Sequence, residues 1–463
     1  MNRIYFSFTV VCTFCGILFG CSKTDFLNEK PNKAMIIPYS FDHFQALMDR
    51  DAVMNGGDGQ GLTPQLGESR ADNFYLSDSD FISNLPVEKQ NYYTWEDQPY
   101  EGGVVLDWDY PYRAILACNA VLDGLTAMSV ENRSSERFQY IRAQALFHRA
   151  HMYYSLAQVF CPPFDKAGAN DGAGIPLRDG ADMNNHPYLA SVGETYNRIL
   201  EDFHIATQIL PTEDTYKTRP SKQAGYGMLA RVYLTMREYE LAGKYADSCL
   251  AIRSGLLDYN SLDATDPYLF QGIQHPVNEK EIIFYAAMLS DMSQNFPTSY
   301  MYHSIDTNLY DSYADDDLRK IVFFEDKGDG TFRFKGSYNY RPTMNFSGLA
   351  TDEMYLIRAE CHAREGKIDE TLADLNFLLQ YRWREGAEFV PIAERDQDML
   401  LDIVLRERRK ELLFRGLRWS DLRRFNLEGY GYTLKRNIND REYLLPPDDS
   451  RWTMPFPLQV TVR

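Results

Sequence analysis

Two helical hairpin patterns stand 129 positions apart, and they constrain the fold more than any other feature of the chain. In the first, Tyr226, Leu229, Ala230 and Tyr233 share one helix face, and Tyr239, Ala242 and Ala246 share the next. The shift sets Tyr355 on Tyr226, Ala359 on Ala230 and Ile368 on Tyr239. A large residue one turn before a small one lets paired helices approach closely, which is the packing logic of tetratricopeptide repeats. Thr371 stands where Ala242 does, so the hairpin pattern is firmer than the repeat.

Apolar residues also recur about every 3.6 positions over 41–48, 108–125, 135–160, 191–210 and 398–425. Ser191 and Glu194 form a capping-box pattern, while Pro162-Pro163 and Pro211 end two of these stretches. The hairpins span 221–252 and 350–381, the second broken at Gly366. Together these predict a mainly α protein: tetratricopeptide-like helical hairpins with a loop-rich insertion at 253–349. That insertion holds a small β-hairpin, Ile321–Phe324 paired with Thr331–Phe334 about a turn at Asp326–Gly330. The stretch 53–99 reads as equally irregular. Loops of that length in a compact chain are uncommon unless they are functional. The expected organisation is an N-terminal helical region at 39–252, the insertion, and a C-terminal hairpin with an Arg-rich helix at 350–463.

The first twenty residues read as an address. Arg3 precedes an uncharged, mostly apolar run from Ile4 to Phe19. As a helix that run rises ~24 Å, short of a ~30 Å hydrocarbon core, so it reads as a secretory signal. Leu18-Phe19-Gly20-Cys21 then resembles a bacterial lipoprotein cleavage box, with lipidation expected at Cys21 and a tether over 21–38. Cys118, Cys161, Cys249 and Cys361 are far apart and lack a Cys-x-x-Cys pair, which argues for buried thiols rather than zinc or redox chemistry. A net charge of −18 repels phosphate backbones and disfavours nucleic acid as a partner.

Two blocks resemble the SusD/RagB family of outer-membrane nutrient-binding lipoproteins. One runs Ala350-Thr-Asp-Glu-Met-Tyr-Leu-Ile-Arg-Ala-Glu-Cys-His-Ala-Arg-Glu-Gly366. The other runs from Leu405-Arg-Glu-Arg-Arg-Lys-Glu-Leu to Asp421-Leu-Arg-Arg424, and carries Arg415 where the family usually has Glu. The helix around Ala143–Tyr153 and the segment Arg219–Leu234 are similar as well. The resemblance implies a helical protein without catalytic activity or cofactor, anchored by lipid to the outer membrane. It also implies that the protein caps a TonB-dependent SusC-like transporter and passes it oligosaccharide, or peptide in some members.

The candidate chemistry is weighed residue by residue. Seven Arg between Arg406 and Arg424 are interleaved with Glu407, Glu411 and Asp421, which reads as structural ion pairing rather than nucleic-acid binding. His148 and His151 lack a third metal ligand nearby and read as packing histidines. Asp315–Asp317 and Asp326/Asp329 lack the spacing of a calcium loop, and Asn55–Gly61 lacks the Lys-Ser/Thr of a phosphate loop. The chain is rich in rings, with 32 Tyr, 27 Phe and 5 Trp. Sugar C–H groups pack on such faces, and Asp, Asn and Arg read hydroxyls. The expected ligand contacts are Arg70, Asp72, Asn73, Tyr92, Tyr93 and Trp95 in the early stretch, and Tyr268, Phe270, Tyr300 and Tyr302 in the insertion. The cluster does not choose between glycan and peptide. A lipid-anchored glycoside hydrolase and a pure protein scaffold remain the alternatives from other classes, since a hydrolytic carboxylate pair has no local spacing signature.

Overall fold

A computed structural model describes residues 39–57, 60–182, 184–266, 269–270, 276–290, 303–339 and 344–460. The expected signal segment, Cys21, the expected tether and the rings Tyr268, Tyr300 and Tyr302 lie outside these residues. Phe41–Arg463 forms one unit. Apart from several short helical turns, its helices and strands are, in chain order, α1 (Phe41–Met48), α2 (Leu66–Arg70), β1 (Phe74–Leu76), α3 (Val87–Tyr93), α4 (Leu106–Thr126) and α5 (Glu136–Phe160). After β2 (Ala173–Leu177) and β3 (Tyr188–Ser191) come α6 (Val192–Ile209), α7 (Lys222–Thr235) and α8 (Tyr239–Ile252). The insertion carries β4 (Ile282–Phe284), β5 (His303–Ile305), β6 (Phe324–Asp326) and β7 (Phe332–Phe334). The chain continues with β8 (Leu349–Ala350), α9 (Thr351–Arg364), α10 (Ile368–Gln380), α11 (Gln397–Glu411), α12 (Arg418–Leu427), β9 (Leu434–Ile438) and β10 (Arg441–Leu445).

From α4 to α10 each long helix packs on the next, and α11 closes on α9. Small residues make the approach close. A Cβ on Gly243 of α8 would lie 3.0 Å from the Cys361 Cβ of α9. Helix starts follow local chemistry: Ser191 accepts from the Glu194 N–H while Glu194 reaches back to the Ser191 N–H, and Ser135 and Ser221 cap α5 and α7. The predicted helical hairpins are present as α7–α8 and α9–α10. Cys118, Cys161, Cys249 and Cys361 are buried, and burial pushes the Cys118 thiol up to about 12.

Three expectations are corrected. The 398–425 helix is two helices, because Phe414 and Gly416 adopt φ of +56° and +77° between α11 and α12. The break turns the Gly416 N–H toward the Glu68 carboxylate, at 2.8 Å. The insertion's hairpin starts three residues late: Arg319–Val322 is a helical turn, and only β6 and β7 pair, Phe324 opposite Phe334. The stretch 53–99 is not irregular but contains α2, α3, β1 and a helix at Asp78–Asn84 whose N-cap is Ser77.

The core has two main parts. One follows the helix row through Phe147, Leu229, Leu356 and their neighbours. The other, with Phe74, Tyr93, Tyr259, Phe270, Tyr338 and Phe346, lies under the early segments and the insertion, which β1 and β5 join by antiparallel pairing. Buried ion pairs cross between these parts. Arg382, fully buried, donates to Glu281 and Glu411, at 2.9 and 2.8 Å, and its guanidinium lies 4.0 Å from the Tyr259 ring centre. Arg319 donates to Asp317, Glu407 and Glu411. Arg415 grips Asp352 through both oxygens, at 2.9 and 2.6 Å, so the Arg at this position has its own partner.

Arg382→Leu strips a cation from between two buried carboxylates, and the expected loss is about 3–5 kcal/mol in urea unfolding. Arg395→Ala, which breaks an exposed pair with Asp369, is expected to leave the midpoint unchanged.

Candidate functional site

The predicted ligand residues come together in space, but mostly as interior. Trp95 ends the α3 segment in a left-handed conformation, φ +58°, with no exposed surface. Its indole N–H donates to the Arg70 carbonyl at 3.0 Å. The Arg436 guanidinium lies 4.2, 5.2 and 5.3 Å from the ring centres of Tyr93, Trp95 and Phe74. This is a cation held by three rings, so the faces of Tyr93 and Trp95 are occupied by protein. Phe270 packs on Tyr338 at 4.8 Å and is likewise core. The stacking role expected of Tyr93, Trp95 and Phe270 is therefore corrected: loops long enough to cover a second hydrophobic centre need rings beneath them.

The polar members of the set are also paired internally. Asp72 accepts two bonds from Arg418, at 2.7 and 2.8 Å, and its carboxyl is held well below the usual range by Arg418 and Arg409 although burial opposes this. Asn73 accepts from Arg409 and is buried. Tyr92 donates to Glu88 and sits under Lys89. It borders a cleft of about 290 Å³, with Asp107 in the wall. Asp107 accepts from the Gln65 and Leu66 N–H groups at 2.6 and 2.9 Å and fixes the start of α2.

Arg70 behaves differently. It ends α2, is 1% exposed and lies 5.3 Å from the Trp419 ring centre. It lines a cleft of about 750 Å³ between the loop at 96–97, the Pro162-Pro163 turn, α12 and the C-terminal segment 447–455. Pro163, Leu427, Trp452 and Met454 give this cleft apolar surface. Exposed Glu96, Asp97 and Asp448 stand at its mouth, with Asn426 and Arg451 in the wall. Arg451 is tied to Asp449 at 2.6 and 2.8 Å and to the Trp95 carbonyl at 3.2 Å. The Trp452 indole donates to the Pro446 carbonyl at 2.7 Å, and its ring packs 4.5 Å from that of Trp419. Sequence reasoning missed Asn426, Asp448, Arg451 and Trp452. They carry no motif, and only the fold brings them to Arg70.

A third cleft, of about 430 Å³, has Trp108, Tyr112, Arg113, Arg178 and Gln459 among its walls. The residues read as structural keep that character. His148 and His151 are buried against the Phe284 ring, and burial lowers His148 to about 4. Among the described residues no group of three His, Cys, Asp or Glu is placed to hold a metal ion.

The fold and these clefts define a class: a helical protein of tetratricopeptide-like hairpins with clefts among the segments laid over the helix row. Two family models match the chain. Residues 25–234 match a model described as starch-binding associating with outer membrane, and residues 335–456 match that of the SusD family. The chain belongs to the SusD/RagB family. A curated relative, SusD-like protein P2 of Formosa agariphila, is 22% identical over 93% of this chain and 94% of its own. Among solved structures, a SusD superfamily protein from Bacteroides thetaiotaomicron superposes with a TM-score of 0.71 at 20% identity, covering 90% of this chain and 96% of that one. A SusD-like carbohydrate binding protein from Bacteroides vulgatus gives a TM-score of 0.62 at 19% identity, covering 90% and 95%. At these identities the structural likeness is one of fold.

Glu68, beside Arg70 on α2, supplies a pH test of this region. Burial raises its carboxyl to about 7 against the pull of the Gly416 N–H. The folded state then holds the proton more tightly than the unfolded chain. Its contribution is full below the unfolded value of 4.5 and is lost as pH rises toward about 7. Replacing it by Gln (Glu68→Gln) is expected to remove about 3 kcal/mol of stability change across that window in denaturant titrations.

Proposed function

We propose that this chain is a non-catalytic binding protein of the outer membrane, anchored through Cys21, that captures oligosaccharide and delivers it to a TonB-dependent SusC-like transporter. The observation that carries the reading is the 750 Å³ cleft, whose apolar walls of Trp452, Met454 and prolines meet convergent carboxylate, amide and guanidinium groups. Its volume lies in the range of small-ligand sites, ~300–1,000 Å³. Asp448, Asp97 and Glu96 accept from sugar hydroxyls, Asn426 both donates and accepts, and Arg451 donates. The fold neighbour described as a carbohydrate binding protein, and the starch-binding description of the matching family model, support glycan over peptide. Delivery requires release, so binding is micromolar to millimolar, about −8 to −4 kcal/mol.

Affinity electrophoresis on a glycan panel tests the reading. Retention by at least one glycan, weakened by Asn426→Ala and Asp448→Ala, is the expected outcome. New reducing ends released by the purified protein would replace capture with hydrolysis, and retention of peptides alone would replace the glycan.

A further inference from the structure

Buried guanidinium groups in this protein almost always meet a carboxylate. Arg231, Arg382, Arg415 and Arg424 each do so within 3.0 Å, and Arg436 instead has its three rings. Arg70, beside the single ring of Trp419, and Arg423 have no carboxylate partner, and both line the 750 Å³ cleft. They are 1% and 3% exposed. Arg70 donates only to the Arg451 carbonyl and leaves Nε and Nη1 without partners. Arg423 donates only to the carbonyls of Gln158 and Cys161 and leaves Nε unpartnered. Among the described residues neither forms an ion pair. A buried cation without a counter-charge is costly, and its field in a low-dielectric wall reaches further than it would in water.

Resting on the capture reading above, we propose that the cleft selects an anionic glycan, one whose carboxylate or sulfate ester lies over the floor formed by Arg70 and Arg423. The cleft is graded in charge. Its floor is cationic, while the exposed acids Glu96, Asp97 and Asp448 ring its mouth. The ligand's anionic group supplies the counter-charge that the fold withholds, and the mouth carboxylates accept from the hydroxyls of the flanking sugars. Arg451, about a quarter exposed, is the donor that reaches the incoming group directly. Burial drives the Arg70 guanidinium down to about 9, in keeping with a cation that lacks its partner.

Purified full-length protein is titrated calorimetrically with an oligogalacturonate, a sulfated galactan oligosaccharide and an uncharged glucan oligosaccharide of equal length, at low and high salt. The expected result is that one of the two anionic ligands binds about tenfold more tightly than the neutral one. Which of them binds distinguishes carboxylate from sulfate ester. The advantage shrinks at ~1 M salt, where the screening length falls to ~3 Å. Arg70→Gln and Arg423→Gln are expected to erase the preference. Asp448→Asn, at an exposed position that does not threaten folding, takes a negative charge from the mouth and is expected to raise the anionic-to-neutral affinity ratio at least about twofold even where both ligands bind more weakly; an unchanged ratio overturns the proposal if the buried variants unfold. Equal, salt-insensitive affinities overturn the proposal. If the neutral glycan binds and is weakened by Asn426→Ala, capture stands and anion selectivity falls; if no glycan binds, both fall.

Discussion

The buried pairing of arginine with carboxylate is the interaction on which the rest of this structure depends. Glu411, at the end of α11, accepts from Arg319 of the insertion and from Arg382 after α10. Arg382 also reaches Glu281 at the edge of β4, where the Tyr338 hydroxyl donates to the second oxygen at 2.7 Å. Arg231 of α7 grips Glu353 of α9, and Arg424 of α12 grips Glu360 of the same helix. Each of these links joins segments distant in sequence. Desolvation makes such pairs poor sources of net stability, but a wrong register leaves a bare charge inside, which costs far more. The network therefore acts mainly by excluding other arrangements of the helix row against the insertion.

Local periodicity and capping made the helix row legible. Phe41–Met48 and the Ser191/Glu194 cap are set by residues a few positions apart, and the structure has them where the pattern placed them. The Arg-rich block was legible as structural for the same reason: acids alternate with bases along it, and its partners prove to be Asp72, Asp352, Glu360 and Asp421. The break at Phe414 was not legible, because a left-handed Phe is dictated by where Arg415 and Gly416 must reach, at Asp352 and Glu68, and not by neighbouring residues. The cleft was legible only at Arg70. Its other walls come from around 96, 162, 426 and 450, a set that no window of sequence contains.

The aromatic richness had a different use from the one its composition invited. Many rings fill the second core beneath the insertion, and several clamp guanidiniums there. Arg382 lies over Tyr259, Arg415 over Tyr338, and Arg436 lies among Phe74, Tyr93 and Trp95. A ring beside a buried cation softens its desolvation without adding a second charge. That lets a loop-built region hold arginines whose donors are needed for backbone carbonyls, as Arg436 does for Ala71 and Phe74.

The same comparison isolates the cleft. Where the fold has rings or acids to spare, each buried guanidinium receives them, even at the cost of crowding two onto one carboxylate, as at Glu411. Asp449 is the carboxylate nearest in kind to serving Arg70, yet both its oxygens are turned to Arg451. Asp421, the one acid on the helix of Arg423, faces Arg408 and Arg424 instead. Among the described residues, two arginines on one cleft wall are thus left without a carboxylate by a protein that gives one to most of its other buried guanidiniums. A scaffold alone is served by apolar or acid-paired residues there, and two buried guanidiniums without a carboxylate suit a ligand that brings the negative charge with it.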